Sequence, residues 1–141
     1  MTLLDTNVIS EPLRPAGNPH TLAWLDAQVL ETLFLSTVSL AELRFGIAVL
    51  PAGRRKETLH SSLEQRVLPL FAGRILPFDE VASQHYAALL ARARAAGRSI
   101  AVADGYIAAI AAAHGMAVAT RDTAPFEALG LPVVNPFVPT G

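Results

Sequence analysis

Four acidic side chains stand out as groups able to do chemistry together: Asp5 in LLDTNVIS, Glu42 in SLAELRFG, Asp104 in VADGYIAAIA and Asp122 in ATRDTAPF. Brought to one place, four carboxylates raise one another's pKa and cannot all stay ionised unaided. A divalent, oxygen-seeking cation resolves that conflict. The chain has no cysteine, and His20, His60, His85 and His114 lie far apart with no zinc-type spacing, so an all-oxygen donor set points to Mg²⁺ or Mn²⁺. Such an ion binds a phosphate oxygen, lowers the pKa of a bound water and stabilises the charge that develops when a phosphodiester is attacked. The chemistry these acids suggest is hydrolysis of a phosphate ester.

Whether the acids meet depends on the elements that carry them. Residues 2–4 read as a short buried strand, followed by a helix from about Asn7 to Leu13. RPAGNP breaks the chain, and Pro19 opens a helix running to about Val29. LFLS, residues 33–36, is a second strand, and the segment after it is helical to Leu50. Residues 54–71 form a more polar helix distorted near Pro69. RILPF is a third strand, and Asp79 caps a helix that runs to Gly97. An apolar helix ending at Gly115 leads into MAVAT as a fourth strand; a short helix over about Thr123–Leu129 and a strand near PVVN complete the chain. Strands alternating with helices predict an α/β domain with a mainly parallel central sheet of about five strands and helices on both faces. The length of 141 residues fits a single domain over 1–141.

In a parallel sheet the helix after a strand begins at the carboxyl edge, and the helix before a strand ends at the opposite edge. Asp5 ends the first strand, and Glu42 lies in the first turn or so of the helix after the second. Asp104 sits near the start of a helix whose other end, about ten residues or ~15 Å away, feeds the fourth strand. Asp122 follows that strand by two residues. All four therefore fall on the carboxyl rim, where open α/β sheets bind ligands. Each acid also has a simpler reading. Asp5 or Thr6 could cap the first helix, Ser39 to Glu42 has the spacing of a capping box, and Asp122 with Thr123 could cap the last helix. Asp104 could serve the helix dipole, although it is the only acid between Glu80 and Asp122. Their shared rim favours a site.

Composition narrows the setting. With 11 Lys+Arg against 12 Asp+Glu, the chain carries a formal charge of -1, too little to attract nucleic acid broadly; contact with it must be local. The 52% hydrophobic and 16% charged fractions leave apolar surface for a partner, with self-association the first expectation. MTLLDTNVIS lacks the features of a secretory leader, and no apolar run reaches the ~18 to 20 residues of a membrane span. The expected location is the cytoplasm, away from any membrane.

LLDTNVIS, SLAELRFGIAVLPAGRR, GRILPFD, ADGYIAAIA and ATRDTAPF, in this order and at these spacings, resemble the PIN-domain ribonucleases of the VapC/FitB toxin type over essentially the whole chain. The resemblance implies a PIN-like α/β/α sandwich and a Mg²⁺- or Mn²⁺-dependent endoribonuclease. Asp5, Glu42, Asp104 and Asp122 match the family's acidic metal-binding quartet. Thr6 and Thr120 match the hydroxyls beside its first and last acids, which support metal, water or phosphate, and Asn7 matches a residue that orients the first acid. It further implies the toxin of a type II toxin–antitoxin pair: a homodimer, held in a larger assembly by a small DNA-binding antitoxin whose tail enters the acidic groove. Pro125 departs from the pattern, since many members carry a further acid there.

Three other readings compete. A phosphatase using a strand-end aspartate as nucleophile would need a second aspartate where Asn7 stands. A DNA nuclease would share the same metal chemistry, because the metal acts on the phosphate and not the sugar. A catalytically silent module would use the acids only to hold a basic partner tail.

Overall fold

The computed structural model describes residues 1–139; Thr140 and Gly141, the last two positions of the expected single domain, lie outside the described residues. Five strands build the sheet: β1 (Thr2–Leu4), β2 (Leu33–Ser36), β3 (Ile75–Leu76), β4 (Ala117–Ala119) and β5 (Val133–Val134). Their order is β3-β2-β1-β4-β5, and all four pairings are parallel. The first strand in the chain is thus the central one. It pairs through Thr2 with Leu33 on one side and Ala117 on the other.

Side chains alternate across these strands, and that alternation divides the interior in two. Leu3 and Val118 face one layer with Ile107, Ile110, Met116 and Phe126, while Leu4 and Ala119 face the other with Val8, Leu35, Leu43, Leu63 and Phe71. Each large side chain so enclosed contributes roughly 1.5–3 kcal/mol relative to exposure. The helices supplying these layers are α1 (Thr6–Ile9), α2 (Pro19–Ala27), α3 (Thr37–Ala48), α4 (Arg54–Ser61), α5 (Glu80–Ala95), α6 (Val102–His114) and α7 (Ala124–Ala128). The architecture is the expected α/β fold with a parallel five-stranded sheet between helices.

Two helices differ from expectation, each at a proline. The helix expected over Asn7–Leu13 ends at Ile9 and continues as a 3₁₀ turn, Glu11–Leu13, because Pro12 has no N–H to donate to the Val8 carbonyl. The helix expected over 54–71 is regular only to Ser61, widens into a π turn over Ser62–Val67 and tightens into a 3₁₀ turn over Leu68–Phe71. Pro69 cannot continue the α-helical ladder there. Elsewhere the helix ends follow local chemistry. Asp79 caps α5 by accepting from the Ala82 N–H at 2.9 Å, and Gly115, at φ +65°, closes α6 while the Met116 N–H returns to the Ala111 carbonyl at 2.9 Å.

Candidate active site

The strand order reverses direction at β1, and the segments leaving β1 and β4 are neighbours there. Asp5 continues β1 by donating its N–H to the Ala119 carbonyl at 2.9 Å. It then caps α1, its Oδ1 accepting from the Thr6 N–H at 2.8 Å. The cap uses one oxygen only. Oδ2 accepts from the fully buried Thr120 hydroxyl at 2.8 Å, so Asp5 is both a helix cap and one side of a cross-strand pair. Its own side chain is almost completely enclosed, at 6% exposure.

Thr6 extends the arrangement toward α3. Its hydroxyl lies 2.7 Å from Glu42 Oε1 and 3.0 Å from Ser39 Oγ. A hydroxyl has one hydrogen; with Thr6 donating it to the carboxylate, Ser39 is the donor in the second contact. Glu42 stands in the second turn of α3 rather than the first. The capping-box reading of Ser39 and Glu42 is replaced as well: Ser36 is the cap, its Oγ accepting from the Ser39 N–H at 3.0 Å.

On the other side, Thr120 Oγ1 accepts from the Asp122 N–H at 3.1 Å, which turns the chain sharply as it leaves β4. The residue capping α7 is Thr123, which makes no side-chain cap bond, so the capping role expected of Asp122 is not used. Asn7 bridges the two strand ends. Its Oδ1 accepts from the Arg121 N–H at 3.1 Å, and its Nδ2 points to Asp5 Oδ2 and Thr120 Oγ1, each at 3.4 Å. The backbone donor at Arg121 decides which way the amide faces. Asp104 lies in the first turn of α6.

The electrostatics tie the acids to one another. Burial pushes the Asp5 carboxyl above its ordinary value; the Thr120 and Thr6 hydrogen bonds offset part of this, and the charges of Glu42 and Asp122 add to it. Asp104 is raised first by burial, then by the charges of Asp5, Asp122 and Glu42. Among the described residues, however, no three acids or imidazoles stand close enough to enclose a metal ion. The four carboxylates share a field without forming a finished coordination sphere. Beside Glu42 a groove of about 860 Å³ opens between the 3₁₀ turn, α3 and α4, floored by Leu43, Ile47 and Leu59 and edged by Arg14, Arg54 and Arg55.

Spacing arguments did not find Ser39, Glu11 or Arg121. Ser39 has the sequence signal of a cap, three residues before Glu42, but the cap stands three residues earlier at Ser36. Glu11 is 2% exposed and pairs with Arg121 at 3.2 Å; nothing local in SEPLR foretells a partner 110 residues away.

A doubly flanked parallel sheet with acids at its switch point defines a PIN-like protein, and the chain belongs to the PIN domain family, whose model matches residues 2–130. It is closely related to the VapC/FitB toxins of type II toxin–antitoxin systems. VapC ribonuclease Y4jK of Sinorhizobium fredii is 56% identical over 139 residues, covering 99% of each chain. Toxin FitB of Neisseria gonorrhoeae is 56% identical over 137 residues, covering 97% of this chain and 99% of that one. The solved structure of FitAB bound to the IR36 DNA fragment matches with a TM-score of 0.95 and 53% identity, covering 100% of this chain and 99% of that chain.

Proposed function

We propose that this chain is a Mg²⁺- or Mn²⁺-dependent endoribonuclease, a single-domain cytoplasmic toxin whose metal ligands are Asp5, Glu42, Asp104 and Asp122. The observation that carries the reading is the hydrogen-bonded rim: the Thr120 hydroxyl joins Asp5 to the Asp122 backbone, and Thr6, at the same strand end, holds Glu42. The donor set suits a hard cation, being all oxygen, and a bound cation would offset the burial and mutual repulsion that push the Asp5 and Asp104 carboxyls upward. Mg²⁺ ordinarily keeps several waters, so protein carboxylates need not close around it. When bound, the ion supplies a Lewis acid for the phosphate and a water of lowered pKa.

The chain's own residues prepare that chemistry. Thr120 and the Thr6 N–H hold the two oxygens of Asp5 in fixed directions. Thr6 holds Glu42 Oε1, which leaves Oε2 free to hold the cation or to orient the attacking water. The name of Y4jK as a ribonuclease supports RNA as the substrate, and the FitAB complex supports a DNA-binding antitoxin as partner. The antitoxin's tail would enter at the acidic rim, and the apolar floor of the groove beside Glu42 gives it a neighbouring surface to pack on. Exposed Phe45, Val49, Val81 and Val102 are apolar surface for a second copy of the chain and for the larger assembly.

The test is cleavage of single-stranded and hairpin RNAs by the purified protein with Mg²⁺ or Mn²⁺, with EDTA, and beside Asp104→Asn. Cleavage by wild type alone, abolished by EDTA, is the expected result. Activity of Asp104→Asn within a few fold of wild type refutes the assignment; cleavage of DNA in preference to RNA refutes the substrate.

A further inference from the structure

Glu11 is the most enclosed acid in the described structure and lies outside the rim quartet. A carboxylate in that position is strongly unfavourable unless it is paired, and each of its oxygens is engaged. Oε1 meets Arg14 Nη1 at 3.3 Å and Arg121 Nη2 at 3.2 Å, while Oε2 accepts from the Asn18 N–H at 3.2 Å. Of the two arginines, Arg121 matters more to the site, because it sits between Thr120, whose hydroxyl holds Asp5, and Asp122.

Arg121 is secured along its whole length. Its guanidinium meets Glu11 and lies 4.2 Å above the Phe137 ring. Its N–H donates to Asn7 Oδ1 at 3.1 Å, and its carbonyl accepts from Asn135 Nδ2 at 3.4 Å. Residues 121–123 belong to neither β4 nor α7, so no helix or strand ladder fixes the place of Asp122. The contacts of Thr120 and Arg121 do that instead.

We infer that the Glu11–Arg121 pair is a strut that sets the separation of Asp5 and Asp122 across the rim, with Glu11 and Arg121 as positioning residues for the metal site. The guanidinium is engaged with Glu11 and Phe137 and is not offered to the phosphate. Its work reaches the site through its own backbone, which orients Asn7 on one side and delivers Asp122 on the other. This deepens the metallonuclease reading and rests on it for the activity measured below.

The experiment compares wild type with Glu11→Gln, Arg121→Met, Arg121→Lys and the Glu11→Gln/Arg121→Met double variant. Three readouts are taken below the unfolding transition: Mn²⁺ affinity from the electron paramagnetic resonance signal of free Mn²⁺, kcat and KM for RNA cleavage, and the ¹H–¹⁵N position of the Asp122 amide. Arg121 is 55% exposed, and Glu11 keeps Arg14 and the Asn18 N–H when Arg121 is changed, while Arg121→Lys keeps the charge pair and serves as the variant least costly to folding. The strut predicts a loss of about 10- to 100-fold in Mn²⁺ affinity or kcat for Glu11→Gln and Arg121→Met, the size seen when the supports of metal ligands are removed. KM stays unchanged in both, and the Asp122 amide shifts in Glu11→Gln, where neither of its chain neighbours has been changed. Arg121→Lys recovers most of the loss, and the double variant is no worse than the weaker single, as expected of residues acting through one contact. A lowered melting temperature with affinity, kcat and the Asp122 amide unchanged overturns the proposal and leaves the pair a purely structural bond. A raised KM in Arg121→Met alone also overturns it, assigning Arg121 to the phosphate directly. If wild type neither binds Mn²⁺ nor cleaves, the metallonuclease reading fails by itself; the Asp122 amide of Glu11→Gln then decides the strut, and an unmoved amide refutes it.

Discussion

Thr120→Val removes one oxygen and its hydrogen from the centre of the site while nearly keeping the side chain's shape. The lost hydroxyl is fully buried and donates to Asp5 at 2.8 Å. A hydrogen bond to a charged group contributes about 1.5–3 kcal/mol. The second bond, from the Asp122 N–H at 3.1 Å, is only partly buried, so water can replace it and its loss costs roughly 0.5 kcal/mol. The added methyl returns up to ~0.8 kcal/mol through burial. The net destabilisation at neutral pH is therefore about 2 kcal/mol, or roughly 6–8 °C in melting temperature for a chain of this length. Urea and thermal unfolding followed by circular dichroism in the presence of chelator measure it. The loss should shrink in acid, where Asp5 is protonated and the bond to Thr120 is no longer charge-assisted. A change within about 0.5 kcal/mol at neutral pH, or an equal loss on both sides of the Asp5 titration, refutes the hydroxyl's role in holding that charge.

Two further outcomes follow from the same geometry. Asp5 and Asp104 titrate above the 3.8 ordinary to aspartate, so the folded protein retains protons that the unfolded chain has released. Stability therefore declines as pH rises from 3.8 through the raised values. Asp104→Asn should flatten that decline and make the metal-free protein more stable at neutral pH; a lower neutral-pH melting temperature for this variant, measured with chelator, contradicts it. Gly17→Ala should destabilise the protein, because the added Cβ would lie 2.7 Å from the Glu11 carbonyl oxygen and 3.2 Å from Leu22. A backbone atom cannot yield as a flexible side chain can, so a cost of about 1–3 kcal/mol in urea unfolding is expected, and an unchanged midpoint argues against that close approach.

Much of the rim was legible because the rule that locates it is topological. Once strands and helices alternate in a parallel sheet, Asp5, Glu42, Asp104 and Asp122 must fall near one edge whatever the details of packing. Finer assignments failed where two residues competed for one role. Ser36 and Ser39 both suit a helix cap, and the choice depends on where β2 ends, which burial of Leu35 and pairing with β3 decide. The π turn at Ser62–Val67 was not legible because Leu63, Val67 and Phe71 must all reach one core past Pro69. Glu11 was invisible for a different reason: it falls inside the helix expected to run to Leu13 with no local mark of burial, and only its contacts with Arg121, Arg14 and Asn18 permit that burial.

The central place of β1 bears on how the protein is made. The earliest of the described strands is the one that needs both neighbours, and the bond from Thr120 to Asp5 joins residues 115 positions apart. Asp5 and Glu42 precede β4 by more than half of the chain and Asp104 precedes it by a single helix, so a chain without β4 has acids but no assembled rim. Pairing this distant closes late in folding. The rim proposed above therefore exists only once β4 has docked beside β1 and the Thr120–Asp5 bond has closed, so its assembly is tied to the formation of the sheet itself.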